Sequence, residues 1–185
     1  MSVVYTQRFP RPAVYLSRGM SKLGLLAEPA RTPRVEINLN VGPKMDYHLS
    51  FDPASKPAHC FVLDISVVGE YGSRLTGPPA REVFAPIPRS WLQEALEDSL
   101  EWHADHETLL HYSVLNACRS WRYAKEGIMS SKDDAAVWAL SHAEDPSIID
   151  SALAIRRGDR SRSLDPAEVR TFALGIKARI AQMPR

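Results

Sequence analysis

The sequence predicts an α+β chain in which an irregular, strand-bearing first part leads into a mainly α five-helix bundle. Prolines recur up to Pro88 and interrupt the apolar residues into short runs. "RVEINLNVG" alternates Val35, Ile37, Leu39 and Val41 against Glu36, Asn38 and Asn40, the period-two pattern of a half-buried strand near 34–41. After Pro88 the apolar spacing is helical throughout.

The elements follow in order. "HCFVLDISVVGEYG" suits a strand by its β-branched residues, yet Phe61, Asp64, Ile65 and Val68 also fit a helix closed by Gly72, the reading we favour. Trp91, Leu92, Ala95, Leu96 and Leu100 mark the first helix of the bundle. A second, over about His106 to Glu126, carries Leu110, Val114, Ala117, Cys118 and Trp121 on one face and stops at Gly127. Ser131 and Asp134 form a capping-box-like start for a third. Pro146 opens a fourth that ends before Gly158, and Asp165-Pro166 begins a fifth. Short loops between such helices describe a bundle. The expected domains are 1–75 and 76–185.

Composition narrows the function classes. The 185 residues are 44% apolar and 24% charged, as in a soluble globular protein. A net charge of +1 gives no reason to expect nucleic-acid or membrane partners. Cys60 and Cys118 lie far apart in apolar runs, which implies no disulfide framework and favours a reducing, cytoplasmic setting. The first residues lack the basic-then-apolar order of a secretory signal.

Familiar catalytic signals are missing: no Gly-x-Gly-x-x-Gly, Walker loop, His-Glu-x-x-His or Cys-x-x-Cys occurs. His103, His106, Glu107 and His111 crowd one segment without a recognisable zinc spacing, and read as a polar helix start and connecting loop. "RRGDRSRS" (156–163) reads as a solvated connection. The stretch "LNACRSWRYAKEGIMSSKDD" is more informative. Tyr112, Asn116, Arg119 and Tyr123 recur at i, i+4, i+7 and i+11, a stripe off the apolar face. Lys132 lies in the first turn of the next helix, where the helix dipole disfavours a cation unless an anion is bound. Arg119 and Lys132 are therefore expected to converge on one polyphosphate, arginine as a bidentate fork and lysine as a mobile charge.

That stretch, extended through "AAVWAL", resembles the C-terminal helical domain of aminoglycoside nucleotidyltransferases, specifically the streptomycin/spectinomycin adenylyltransferases. "YGSRLTGPPAREVFAPIP" is similar to the family's interdomain segment, and "RTPRVEINLNVGPKMDYHLSFDP" to the tail of its nucleotidyltransferase domain. The resemblance implies that 1–75 is a truncated remnant of the nucleotidyltransferase sheet. It implies a family that binds ATP and Mg²⁺ and transfers AMP to a hydroxyl of an aminocyclitol antibiotic. Arg119 and Lys132 match its phosphate-binding cations. Trp102, with Asp105 or Glu107, matches its drug-contacting group, and Tyr112 and Asn116 join these as substrate-binding candidates. The family's later nucleotide-contacting tyrosine falls on Gly175.

The front half departs from the family. Nucleotidyl transfer needs an Asp-x-Asp pair to hold Mg²⁺ and a further carboxylate as base. This chain has no Asp-x-Asp, so no magnesium site is expected, and Glu36 is the one candidate base on a recognisable strand. The chain is accordingly expected to be inactive as a transferase. It reads as a truncated enzyme missing an N-terminal domain, as a stand-alone domain that binds a nucleotide or small cation, or as a protein-interaction module.

Overall fold

The computed structural model describes residues 2–6, 13–18, 29–33, 38–40, 48–52, 57–76 and 78–183. The chain divides into two compact units, Met1–Ala95 and Leu96–Arg185.

In the first unit, short strands β1 (Ser2–Thr6), β2 (Ala13–Arg18), β3 (Asn38–Asn40), β4 (His48–Ser50) and β5 (Ser73–Thr76) pair in the order β4-β3-β2-β1-β5. Every pairing is antiparallel. The ambiguous segment is a helix, α1 (Ala58–Tyr71), and a single helical turn, α2 (Ala80–Val83), follows β5. Val68, Ala80, Val83 and Phe84 make a small apolar cluster there.

The expected fold class is corrected. The part of the structure whose side chains are described is helical, and it contains no remnant of a nucleotidyltransferase sheet. The strands are backbone ladders of three to six residues, and none of them carries an Asp or Glu. A metal-bearing sheet needs carboxylates on a strand, so these ladders cannot stand in for one. The alternation at 35–41 could not say which sheet the strand joins, because a period of two reports only a half-buried extended segment. What it pairs with is set by contacts distant in sequence. The expected strand is described only at Asn38–Asn40, and Glu36 lies outside the described residues.

Helix α3 (Arg89–His106) contains the division between the units. After it come α4 (Leu110–Glu126), α5 (Lys132–Leu140), α6 (Ser147–Arg156) and α7 (Pro166–Ala181). Their starts follow the sequence chemistry. Ser131 accepts the Asp134 N–H at 3.0 Å and donates back to the Asp134 carboxylate at 2.7 Å, capping α5. Asp165 accepts from Ala167 and Glu168 N–H, with Pro166 in the first turn of α7. Gly127 ends α4 in the left-handed region (φ 71°) while its N–H bonds the Tyr123 carbonyl at 2.7 Å. Helix α4 is central: Val114, Leu115, Ala117, Cys118 and Trp121 join Ala135 and Ala139 of α5, Ile149 and Leu153 of α6, and Ile176 and Ile180 of α7 in one buried core. Burying a side chain such as Leu115 stabilises by about 1.5–3 kcal/mol, and this core holds the polar stripe of α4 in place.

Candidate functional site

The stripe on α4 is the framework of the site. Asn116 is fully buried, and its amide donates to Ser99 Oγ of α3 at 3.1 Å while its oxygen accepts from Arg119 Nη2 at 2.8 Å. Ser113, buried one turn earlier, donates to the His103 carbonyl at 3.1 Å. These bonds tie the second half of α3 antiparallel to α4 and leave the Arg119 guanidinium anchored at one corner by an amide. That bond fixes the position of the guanidinium on the α4 stripe.

Lys132 opens α5, and its Nζ lies 4.6 Å from the centroid of the Tyr112 ring. The phenol thus contacts the cation through its electron-rich face. Tyr112 and Asn116 are one turn apart on α4, so the residues that hold Lys132 and Arg119 are neighbours. A third cation joins them. Arg156, at the end of α6, lies 5.5 Å from the same Tyr112 ring, and its Nε bonds Asp133 Oδ1 at 2.6 Å. Sequence reasoning missed Arg156 because it opens the run read as a solvated loop. Only the packing of α6 against α4 and α5 carries it to Tyr112, and no local pattern signals that.

The drug-facing candidates are arranged differently. Trp102 stacks on His106, with centroids 5.5 Å apart and planes at 11°, and meets His103 edge-on. Glu107 accepts the Leu109 N–H at 2.9 Å and lies 3.5 Å from His103 Nδ1. It thereby shapes the break that ends the expected second helix's first turn, so that α4 begins at Leu110. Asp105 turns to Arg170 of α7 at 3.1 Å. The two acids therefore face different partners at the end of α3. The His111 ring lies 4.5 Å from that of the stripe's Tyr112.

Among the described residues no three His, Cys, Asp or Glu side chains assemble as metal ligands. No helix among the described residues is long and apolar enough to cross a membrane.

Residues 82–179, which include the stripe and all three cations, match the family model described as aminoglycoside adenylyltransferase, C-terminal domain. The chain belongs to this family. Curated relatives agree with the aminoglycoside adenylyltransferase assignment. The aminoglycoside (3'') (9) adenylyltransferase of Klebsiella pneumoniae is 33% identical over 97 residues, which cover 49% of this chain and 35% of that protein. The protein of the same name from Rhizobium radiobacter is also 33% identical over 97 residues, covering 49% and 34%. The match thus spans about a third of the length of these adenylyltransferases. In fold, the chain is similar to spectinomycin adenyltransferase AAD(9) from Enterococcus faecialis, solved with ATP and spectinomycin. That similarity has a TM-score of 0.59 at 17% identity and covers 95% of this chain and 63% of the other.

Proposed function

We propose that this chain is the ligand-holding part of an aminoglycoside adenylyltransferase, which binds a nucleotide through its phosphates and an aminocyclitol beside it, and which does not transfer AMP by itself. The observation that carries this reading is the placement of Arg119 and Lys132 on adjacent anchors of one α4 stripe, Asn116 and Tyr112. Arg119 supplies a fork to two phosphate oxygens, and Lys132 supplies a point charge at the positive end of the α5 dipole. Family membership supports the choice of ligand, as does a structural neighbour solved with ATP and spectinomycin. Tyr112 and Asn116 flank the phosphates, and Trp102 with Asp105 or Glu107 faces the cationic drug, where an aromatic face and a carboxylate suit an ammonium. The missing Asp-x-Asp supports inactivity, because nothing in the sequence supplies the paired carboxylates that the reaction's metal needs.

Calorimetric titration of the full chain with ATP tests the binding half. Saturable binding is expected, weakened at least tenfold in Arg119→Ala and in Lys132→Ala. Arg119→Lys is expected to recover only part of the loss, since it keeps the charge but not the fork. ATP binding that is indifferent to both alanine variants would refute the phosphate site. Incubation with labelled ATP and either streptomycin or spectinomycin tests the other half: no labelled drug is expected, and its appearance would show that the chain is a complete enzyme.

A further inference from the structure

The side of α4 opposite the stripe carries a second feature. At 100° per residue, Trp121 and Lys125 lie about 180° and 220° around the helix from Tyr112, whereas Asn116 and Arg119 stay within about 40° of it. Trp121 meets Trp138 of α5 edge-on at 5.1 Å, and Trp138 stacks on His142 at 4.1 Å with planes at 20°. Arg179 of α7 lies over Trp121 at 4.8 Å, and Lys125 over Trp138 at 5.8 Å. Trp121, Ala124, Lys125, His142, Arg179 and Met183 line a cavity of about 350 Å³, the size that takes a ligand of one or two rings.

The charge balance of this cavity is uneven. Neither Lys125 nor Arg179 pairs with a carboxylate among the described residues. The neighbouring acid, Glu126, is already used: it accepts from Trp138 Nε1 at 2.6 Å and pairs with Arg122 Nε at 3.1 Å. Trp121 and His142 give the lining two aromatic rings beside Ala124 and Met183, and two cations stand with them that pair with no carboxylate among the described residues. Aromatic walls recognise a flat ring by stacking, and a guanidinium with an ammonium recognises an oxyanion.

We propose that this cavity is a second binding site, separate from the phosphate stripe, for a small planar aromatic anion: one or two fused rings bearing a carboxylate, sulfonate or phosphate. The ring lies against the exposed His142, at the edge of the buried Trp121, and the oxyanion is held by Arg179 and Lys125.

Titration of the full chain with naphthalene-2-sulfonate, read by calorimetry and by the indole N–H signals of Trp121 and Trp138, tests this. Saturable one-to-one binding that shifts both signals is expected. Lys125→Gln and Arg179→Gln, both at exposed positions that leave the core intact, should each weaken it about tenfold, the loss of one charge-assisted contact. Methanesulfonate, which has the anion without the ring, should not saturate the site, and Arg119→Ala should leave the affinity for naphthalene-2-sulfonate unchanged. Failure of the wild-type chain to saturate would overturn the proposal. So would unchanged affinity in the two glutamine variants, equal binding of methanesulfonate, or loss of binding in Arg119→Ala.

Discussion

Asn116 shows how much one residue carries here. Its side chain is wholly buried and satisfied on both sides, by Ser99 and by Arg119. Asn116→Ala would strand a buried hydroxyl and release the guanidinium, and we expect urea denaturation to show a loss of about 1–3 kcal/mol. Cys118 lies two residues further along α4 and has the opposite chemistry. Burial pushes its thiol from 9.0 up to about 12. The folded state therefore keeps a proton that the unfolded chain loses above about pH 9. The stability this contributes is present below that pH and falls away as pH rises towards about 12, by about 1.4 kcal/mol per pH unit. Denaturation curves of the wild type and Cys118→Ala should converge over that window, and curves that stay parallel would count against the buried neutral thiol. The residue type was legible in sequence at both positions, but its state was not: an asparagine on a stripe and a cysteine on an apolar face say nothing of which partners close around them.

The turn between α4 and α5 is the element on which the proposed phosphate site depends. Gly127 supplies a left-handed backbone that costs other residues about 1–2 kcal/mol, and Ser131 caps α5 where alanine would cost about 1 kcal/mol. Gly127→Ala and Ser131→Ala should each lower the midpoint of thermal unfolding, and Ser131→Ala should also weaken ATP binding by loosening the turn that presents Lys132. An unaltered ATP affinity in Ser131→Ala would mean that Lys132 is positioned by something other than the cap. Glu126, in the last turn of α4, is held below the usual carboxylate range by its bond from Arg122, with a further bond from Trp138. Caps, glycine stop and proline starts were all readable beforehand, because each is a local exchange of hydrogen bonds within a few residues. The position of the break between α3 and α4 was not. The second helix was expected from about His106, whereas α3 runs through His106 and α4 starts at Leu110, with the Glu107 carboxylate accepting the Leu109 N–H between them.

At the scale of the molecule, order should be graded about α4. Its residues Val114 to Cys118 sit at the centre of the second unit's core, so their amides are expected to exchange with solvent more slowly than those of α6 or the first turn of α7. Hydrogen exchange on the full chain would check this, and equal protection across these helices would contradict the central role given to α4. The same distinction separates what each level of description decided about function. The sequence by itself determined the helical segments after Pro88, their caps and the family resemblance, and it led to the proposal of Arg119 and Lys132, since all of these are written in residue types at short spacings. Tertiary structure alone decided that no metal-bearing sheet remnant accompanies them among the described residues, and that Asp105 turns to Arg170. It alone brought Arg156 beside Tyr112 and gathered Trp121, Lys125, His142 and Arg179 round one cavity. Those facts join residues tens of positions apart, and such pairings are set by how whole helices pack, which no local spacing encodes.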